Sequence, residues 1–169
     1  MTDGEAVEAQ LGRPLRSAAV VVARCPLGLP VVTVVPPLLD DGTPFPTRYW
    51  LTCPLANRRI GRLEGAGGVK SLERHAEGVP EFGARLAAAH ERYATERDAH
   101  VPEGHTPAPS GGVAGSATGV KCLHAHYADH AAGNDNPVGE AAAPFVEPLD
   151  CTIPCVVDGV RNPAWTEPK

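Results

Sequence analysis

One short stretch of the chain concentrates side chains that bind metals, transfer protons or attack electrophiles. It runs from residue 119 to 130 and contains one cysteine and three histidines: Cys122, His124, His126 and His130. It follows a glycine-rich run, 110–119, in which regular structure is not expected. We expect a helix to begin near Val120, so that Lys121 and Cys122 lie in its first turn, where unpaired backbone N–H groups favour an anion or a thiolate.

A metal centre in this region would draw on cysteines from separate parts of the chain. Tetrahedral zinc is bound by four thiolate or imidazole ligands. We therefore predict a site formed by three cysteines and one histidine that joins a sheet to a helix: Cys25, Cys53, Cys122 and His126, with His124 as the other histidine candidate. His126 shares a helix face with Cys122, whereas His124 does so only if the helix begins later. Zinc is favoured, and an iron–sulfur cluster could use the same thiolates.

The same residues also suit an enzyme with a cysteine nucleophile. Lys121 and the helix start would lower the pKa of Cys122, and His124 or His126 would act as the base. The loop at Gly111 and Gly112 could hold an oxyanion or a phosphate group. The substrate would be a small molecule containing a phosphate or acyl group. No complete phosphate-binding motif follows Cys122, so whether the protein is an enzyme stays open.

The elements that must position these residues can be predicted from hydrophobic patterns. Three short runs rich in β-branched and aromatic residues indicate strands over 17–24, 31–35 and 48–53. Helical spacing predicts helices over 55–63, 69–77, 80–100 and 120–132. The charged residues of the longest helix are expected to face solvent, as are His75, His90, His100 and His105. The fold class is α+β: one domain over residues 1–140 has a three-stranded sheet and a helical layer, and 141–169 forms an irregular Pro-rich arm or tail.

Composition excludes several classes of protein. The 169 residues carry a net charge of −5 and show no basic stripe, which argues against nucleic-acid binding. The start of the chain lacks the basic and apolar pattern of a signal peptide, and no window is apolar enough to span a membrane. A cytoplasmic location follows. There, five cysteines are expected to be thiols or metal ligands, and we interpret Cys151 and Cys155 as two free thiols.

Five motifs, in this order, resemble those of a small bacterial family. They are Cys25-Pro-Leu-Gly-Leu-Pro30, the run from Asp41 to Pro54, Arg62-Leu-Glu-Gly-Ala-Gly-Gly68, Val120-Lys-Cys-Leu-His124 and Asn136-Pro-Val-Gly139. The family is catalogued as domain of unknown function 501 and is common in actinobacteria. The resemblance runs from about Leu11 to Gly139 and implies a compact α+β protein with no agreed activity. Its members are often encoded beside a septum-formation initiator, which by itself implies no mechanism. A third possibility is a binding module for a cell-division or envelope partner, with the Pro-rich tail as the contacting arm.

Overall fold

The computed structural model describes residues 1–168 and has a three-stranded antiparallel sheet at its centre. The strands are β1 (Val20–Arg24), β2 (Pro30–Val34) and β3 (Tyr49–Leu51), in the order β1-β2-β3. Thr33 of β2 pairs with Val21 on one side and with Trp50 on the other. The sheet and the surrounding helices confirm the predicted α+β class, and the middle strand is buried almost along its whole length.

Six helices surround the sheet. They are α1 (Asp3–Leu11), α2 (Pro54–Gly65), α3 (Gly68–Gly78), α4 (Pro80–Asp98), α5 (Leu123–Ala131) and α6 (Pro137–Ala142), with 3₁₀ turns at Val113–Gly115 and Ala143–Phe145. Pro54 occupies the first turn of α2, where its missing N–H is not needed. α1 packs against β2 and α5 packs against β3, while alternate residues of β1 stay exposed. The centre of the core is fully buried and is formed by Val32, Leu55, Ile60, Tyr93 and Leu123.

A tight turn connects β1 to β2 and presents Cys25. The N–H of Cys25 donates to the carbonyl of Leu29 at 3.0 Å, and the N–H of Gly28 donates back to Cys25 at 2.8 Å. Gly28 has a φ of 78°, a left-handed conformation that glycine adopts without strain. The turn therefore holds the first predicted metal ligand at the end of the sheet.

The longest helix, α4, differs from the prediction on its polar face. Arg97 is only 1% exposed and His90 only 6% exposed, although both were expected at the surface. The guanidinium of Arg97 donates to the carbonyl oxygen of Gly111 at 2.7 Å and pairs with Asp98 at 2.7 Å. His90 Nδ1 accepts from the N–H of Val113 at 3.1 Å. The glycine-rich loop thus folds over this face and buries it, which the helical pattern alone could not indicate.

Helix α5 begins at Leu123, three residues later than the sequence predicts. Lys121 has a φ of 56°, which is incompatible with an α-helix of L-residues, and Cys122 is extended at φ −147° and ψ 116°. Cys122 is therefore the residue before the helix and does not lie in its first turn. A side chain from α2 supplies the cap, because the N–H of Leu123 donates to Glu64 Oε1 at 2.7 Å.

The segment 141–168 packs against α2. The guanidinium of Arg59 donates to the carbonyl oxygens of Val146 and Pro148 at 2.7 and 2.6 Å. Two short strands, β4 (Val156–Val157) and β5 (Val160–Arg161), form a hairpin in this segment. Its two-residue turn has left-handed φ values of 49° and 77°, as the Asp-Gly pair at 158–159 favours. Most of the segment is irregular, as expected, yet it contributes Val156 and Trp165 to the core.

Candidate functional site

Three side chains that bind metals or protons converge where α2 meets the start of α5. Cys122 Sγ lies 4.0 Å from His124 Nδ1, and the same nitrogen lies 3.2 Å from Glu64 Oε1. One ligand atom from each of the three residues lies within 4.8 Å of the other two. All three residues are half-buried, so the cluster is shielded yet open to solvent. It is the only such group of three or more His, Cys, Asp or Glu side chains found among residues 1–168.

The imidazole of His124 is held from both sides. Its Nε2 lies 3.3 Å from the carbonyl oxygen of Asn57 on α2, which can only accept, so the hydrogen bond requires a proton on Nε2. Asn57 is itself anchored, because its side-chain amide donates to the carbonyls of Leu51 and Cys53 at 3.2 and 3.0 Å. A neutral ring that donates to Asn57 leaves the lone pair of Nδ1 directed towards Cys122 and Glu64.

Electrostatics favour a positive charge at this position. The hydrogen bond with Cys122, together with the charge of Glu64, raises the pKa of His124 above its ordinary value, although burial opposes the shift. Two groups that can carry negative charge therefore face one imidazole nitrogen. Either a proton on Nδ1 or a metal cation between the three atoms would satisfy them. In a catalytic triad the carboxylate and the nucleophile bind opposite nitrogens of the imidazole, whereas here Cys122 and Glu64 both face Nδ1 of His124.

The ligands predicted from the sequence occupy three different places. Cys25 and Cys53 line a small cavity at the end of the sheet together with Cys151 and Cys155, while Cys122 belongs to the cluster described above. His126 is fully buried, and its Nδ1 and Nε2 lie 3.0 Å from Asn136 Oδ1 and 3.0 Å from the carbonyl oxygen of Val120. The late start of α5 explains why Cys122 lies beside His124 rather than His126.

The residues predicted for an anion cradle are engaged within their own loop. The N–H of Gly112 donates to the carbonyl of Ser116 at 2.7 Å, and the carbonyl of Gly111 accepts from Arg97. Both glycines line an open cavity of about 1000 Å³ between this loop and α4, and Cys122 is not among its lining residues. Lys121 Nζ donates to the carbonyl of Ala114 at 3.1 Å. The loop is thus built mainly by contacts with itself and with α4.

Two members of the site were not identified from the sequence. Glu64 was noted only as part of the motif 62–68, and Asn57 was not singled out because it acts through its backbone carbonyl. The sequence feature that could have indicated Glu64 is its position at the end of a predicted helix, next to a glycine-rich turn. A carboxylate there can reach a neighbouring helix, and its pairing with Leu123 could be recognised only from the packing of α2 against α5.

Comparison with known proteins places the chain in a family. No curated protein and no solved structure matches it. Among residues 1–168, no helix has the length and apolarity needed to cross a membrane. A family described as "Protein of unknown function (DUF501)" matches residues 21–143, which is more than half of the chain and includes Glu64, Cys122 and His124. The resemblance noted from the five motifs is thereby confirmed, and the chain belongs to this family of unknown function, DUF501.

Proposed function

We propose that the protein binds a metal ion, with zinc favoured, through Glu64 Oε1, Cys122 Sγ and His124 Nδ1. The observation that carries the proposal is the convergence of these three ligand atoms within 4.8 Å of one another. Three protein ligands leave a fourth position of the tetrahedron for water or a substrate, as in catalytic zinc sites. The metal would join α2 to the segment that opens α5.

The distances suit a tetrahedral ion. Zinc with a Zn–S bond of about 2.3 Å and Zn–N and Zn–O bonds of about 2.0 Å has S···N and N···O edges of about 3.5 and 3.3 Å. The corresponding distances here are 4.0 Å for Cys122 to His124 and 3.2 Å for His124 to Glu64. A metal-bound histidine usually donates its second ring N–H to a carbonyl or carboxylate, and the carbonyl of Asn57 is 3.3 Å from Nε2.

The proposal also includes a cytoplasmic location for the protein. All five cysteines are free thiols. A reducing environment keeps thiols available as ligands, so we place the protein in the cytoplasm. An iron–sulfur cluster is less favoured at this site, because such clusters are usually held by several cysteine thiolates and only Cys122 is present here.

A second candidate function is favoured by one specific observation. Cys122 Sγ lies 4.0 Å from His124 Nδ1, close enough for the imidazole to take the thiol proton after a small movement. In that reading Cys122 is a nucleophile, His124 is its base and Glu64 stabilises the imidazolium. A substrate with an acyl or phosphate group would approach from the open side of the cluster.

The two functions can be separated with full-length protein purified without an affinity tag. We expect Cys122→Ser and His124→Gln each to lose one zinc equivalent per chain, measured by elemental analysis after equilibration with zinc and dialysis. The matched control is His130→Gln, since this histidine lies on the same helix outside the cluster and should retain the full content.

Equal zinc content in Cys122→Ser and wild type would refute the metal site. The nucleophile reading predicts instead a metal-free cluster in which iodoacetamide modifies Cys122 first. It also predicts that His124→Gln slows that modification at least tenfold at neutral pH, because the base that creates the thiolate is removed.

A further inference from the structure

Four of the five cysteines gather around one small cavity away from the cluster at Cys122. They come from three segments: the turn after β1 contributes Cys25, the start of α2 contributes Cys53, and the C-terminal segment contributes Cys151 and Cys155. The cavity has a volume of about 10 Å³, which is room for one ion or one water molecule. The outermost of these cysteines, Cys25 and Cys155, are 130 residues apart in the sequence, so the four side chains come together only in the folded protein.

The groups around the sulfur atoms are donors of hydrogen bonds. Gln10 Nε2 donates to Cys155 Sγ and Trp165 Nε1 donates to Cys151 Sγ, both at 3.5 Å. Cys53 immediately precedes α2, where free backbone N–H groups are directed towards negative charge. N–H donors of this kind stabilise thiolate ligands of a metal. N–H groups that can donate to a thiolate thus lie beside three of the four sulfur atoms.

The rest of the lining supplies no charge to balance a thiolate. It is apolar apart from the indole N–H of Trp165 and the amide of Gln10, which is 7% exposed and whose Oε1 has no hydrogen-bond partner. No Lys, Arg or His lines the cavity. Four thiols in such a place either remain protonated or bind a cation that prefers sulfur. Burial raises the pKa of Cys53 to about 11, so without a metal this thiol stays protonated at neutral pH.

We propose that Cys25, Cys53, Cys151 and Cys155 bind one zinc ion through four thiolates. This structural site is distinct from the cluster at Glu64, Cys122 and His124. Zinc takes this ligand set in closed tetrahedral sites. The size of the cavity favours a single ion over an iron–sulfur cluster of several atoms. The proposal assigns a role to Cys151 and Cys155, for which the sequence indicated only free thiols.

Binding requires the sulfur atoms to move inwards and to lose their protons. No three of them lie within 4.8 Å of one another in residues 1–168, whereas zinc tetrathiolate has S···S edges of about 3.8 Å. Each of the four S–H bonds releases its proton to solvent as a Zn–S bond forms, so four protons leave and the centre carries a net charge of −2. The positive end of the α2 dipole at Cys53 offsets part of that charge.

The consequence for the fold is a link between the domain and its C-terminal segment. Cys25 and Cys53 lie within the matched family region 21–143, while Cys151 and Cys155 follow it. The segment is also held by Arg59, Arg62 and Tyr127, which bond to it, and by apolar contacts such as Val156 and Trp165. A metal bound by both parts would fasten the segment to the turn after β1 and to the start of α2.

The test uses the full chain in a Cys122→Ser background, in which the proposed site at Glu64 and His124 is disabled. We expect this protein to bind one zinc per chain and to lose it when Cys151→Ser is added. With cobalt in place of zinc, the charge-transfer absorption of Co²⁺–thiolate bonds should show four thiolates. Adding Cys151→His instead should retain one metal per chain with about a quarter less charge-transfer intensity, which separates loss of a ligand from loss of the fold.

Three results would overturn this site. One is a Cys122→Ser protein that binds no zinc when supplied with it, and another is unchanged zinc content after Cys151→Ser is added. The third is a disulfide among the four cysteines in protein prepared under reducing conditions, detected by mass spectrometry. Failure of the site at Cys122 would appear differently, because wild type and Cys122→Ser would then bind the same amount of zinc.

Discussion

Glu64 has two roles in the structure that two substitutions can separate. Its Oε1 caps α5 by accepting from the N–H of Leu123 at 2.7 Å, and the same atom lies 3.2 Å from His124 Nδ1 as a proposed metal ligand. Glu64→Gln keeps a carbonyl oxygen for the cap but removes the anionic ligand. Glu64→Ala removes both. We therefore expect the two variants to differ in stability but to share a loss of metal binding.

The magnitudes follow from these contacts. Leu123 is fully buried, so Glu64→Ala leaves its N–H without an acceptor and should lower the free energy of unfolding of the metal-free protein by about 2 kcal/mol. Glu64→Gln should lower it by about 1 kcal/mol or less, because the neutral bond is weaker than the charge-assisted one. Loss of a ligand should weaken zinc binding by at least about 100-fold. Removing a residue that only hydrogen-bonds to a metal ligand already costs about 10- to 100-fold in affinity, and loss of the ligand itself should cost at least as much.

Urea unfolding with and without zinc measures both effects. At a free zinc concentration of 100 times the wild-type dissociation constant, the metal should stabilise wild type by about 2.7 kcal/mol and a 100-fold weaker variant by only about 0.4 kcal/mol. A second zinc site elsewhere adds equally to all three proteins and cancels in the comparison. The reasoning is refuted if zinc stabilises Glu64→Gln as much as wild type, or if Gln and Ala destabilise the metal-free protein equally.

Three further outcomes test other parts of the structure. Arg97→Met should lower the free energy of unfolding by about 3 kcal/mol, because the carbonyl of Gly111 loses the buried guanidinium that donates to it. A change below about 1 kcal/mol in urea unfolding would show that the charge is not needed. Asn136→Ala should lower it by about 2 kcal/mol through loss of the α6 cap and of the bond to buried Asp129, as thermal and urea unfolding would both detect. Burial raises the pKa of Cys53 from 9.0 to about 11, so its alkylation by iodoacetamide at pH 8 should be about 100-fold slower in the folded metal-free protein than in urea, and equal rates would contradict this.

Local patterns were sufficient for most elements. The β-branched runs identified all three strands of the central sheet, and apolar spacing identified α2, α3 and α4 close to their observed bounds. The hairpin of β4 and β5 was missed although Asp158-Gly159 between two valine-containing runs is a strong turn signal. The many prolines around this pair led to the expectation of an irregular segment without strands. The start of α5 was placed too early because the left-handed conformation of Lys121 has no signature in a non-glycine residue.

The candidate sites show a different division. The chain itself identified Cys122 and the histidines beside it as chemically important, and it marked Cys25 and Cys53 as residues at the ends of strands. The partners of these residues depended on packing. Glu64 meets His124 because α2 lies against α5, and Cys151 meets Cys25 because the C-terminal segment folds back over the end of the sheet.

The sequence by itself therefore determined most of the helices and strands, because these depend on short-range patterns of hydrophobicity and turn residues. It also showed which residue types are available for chemistry. Only the tertiary structure decided which cysteines share a cavity and which carboxylate faces the imidazole. Contacts between residues far apart in the chain arise from the burial of whole helix and sheet faces, as with Arg97 and His90 under the glycine-rich loop. That burial is a collective property of the fold, and no single segment encodes it.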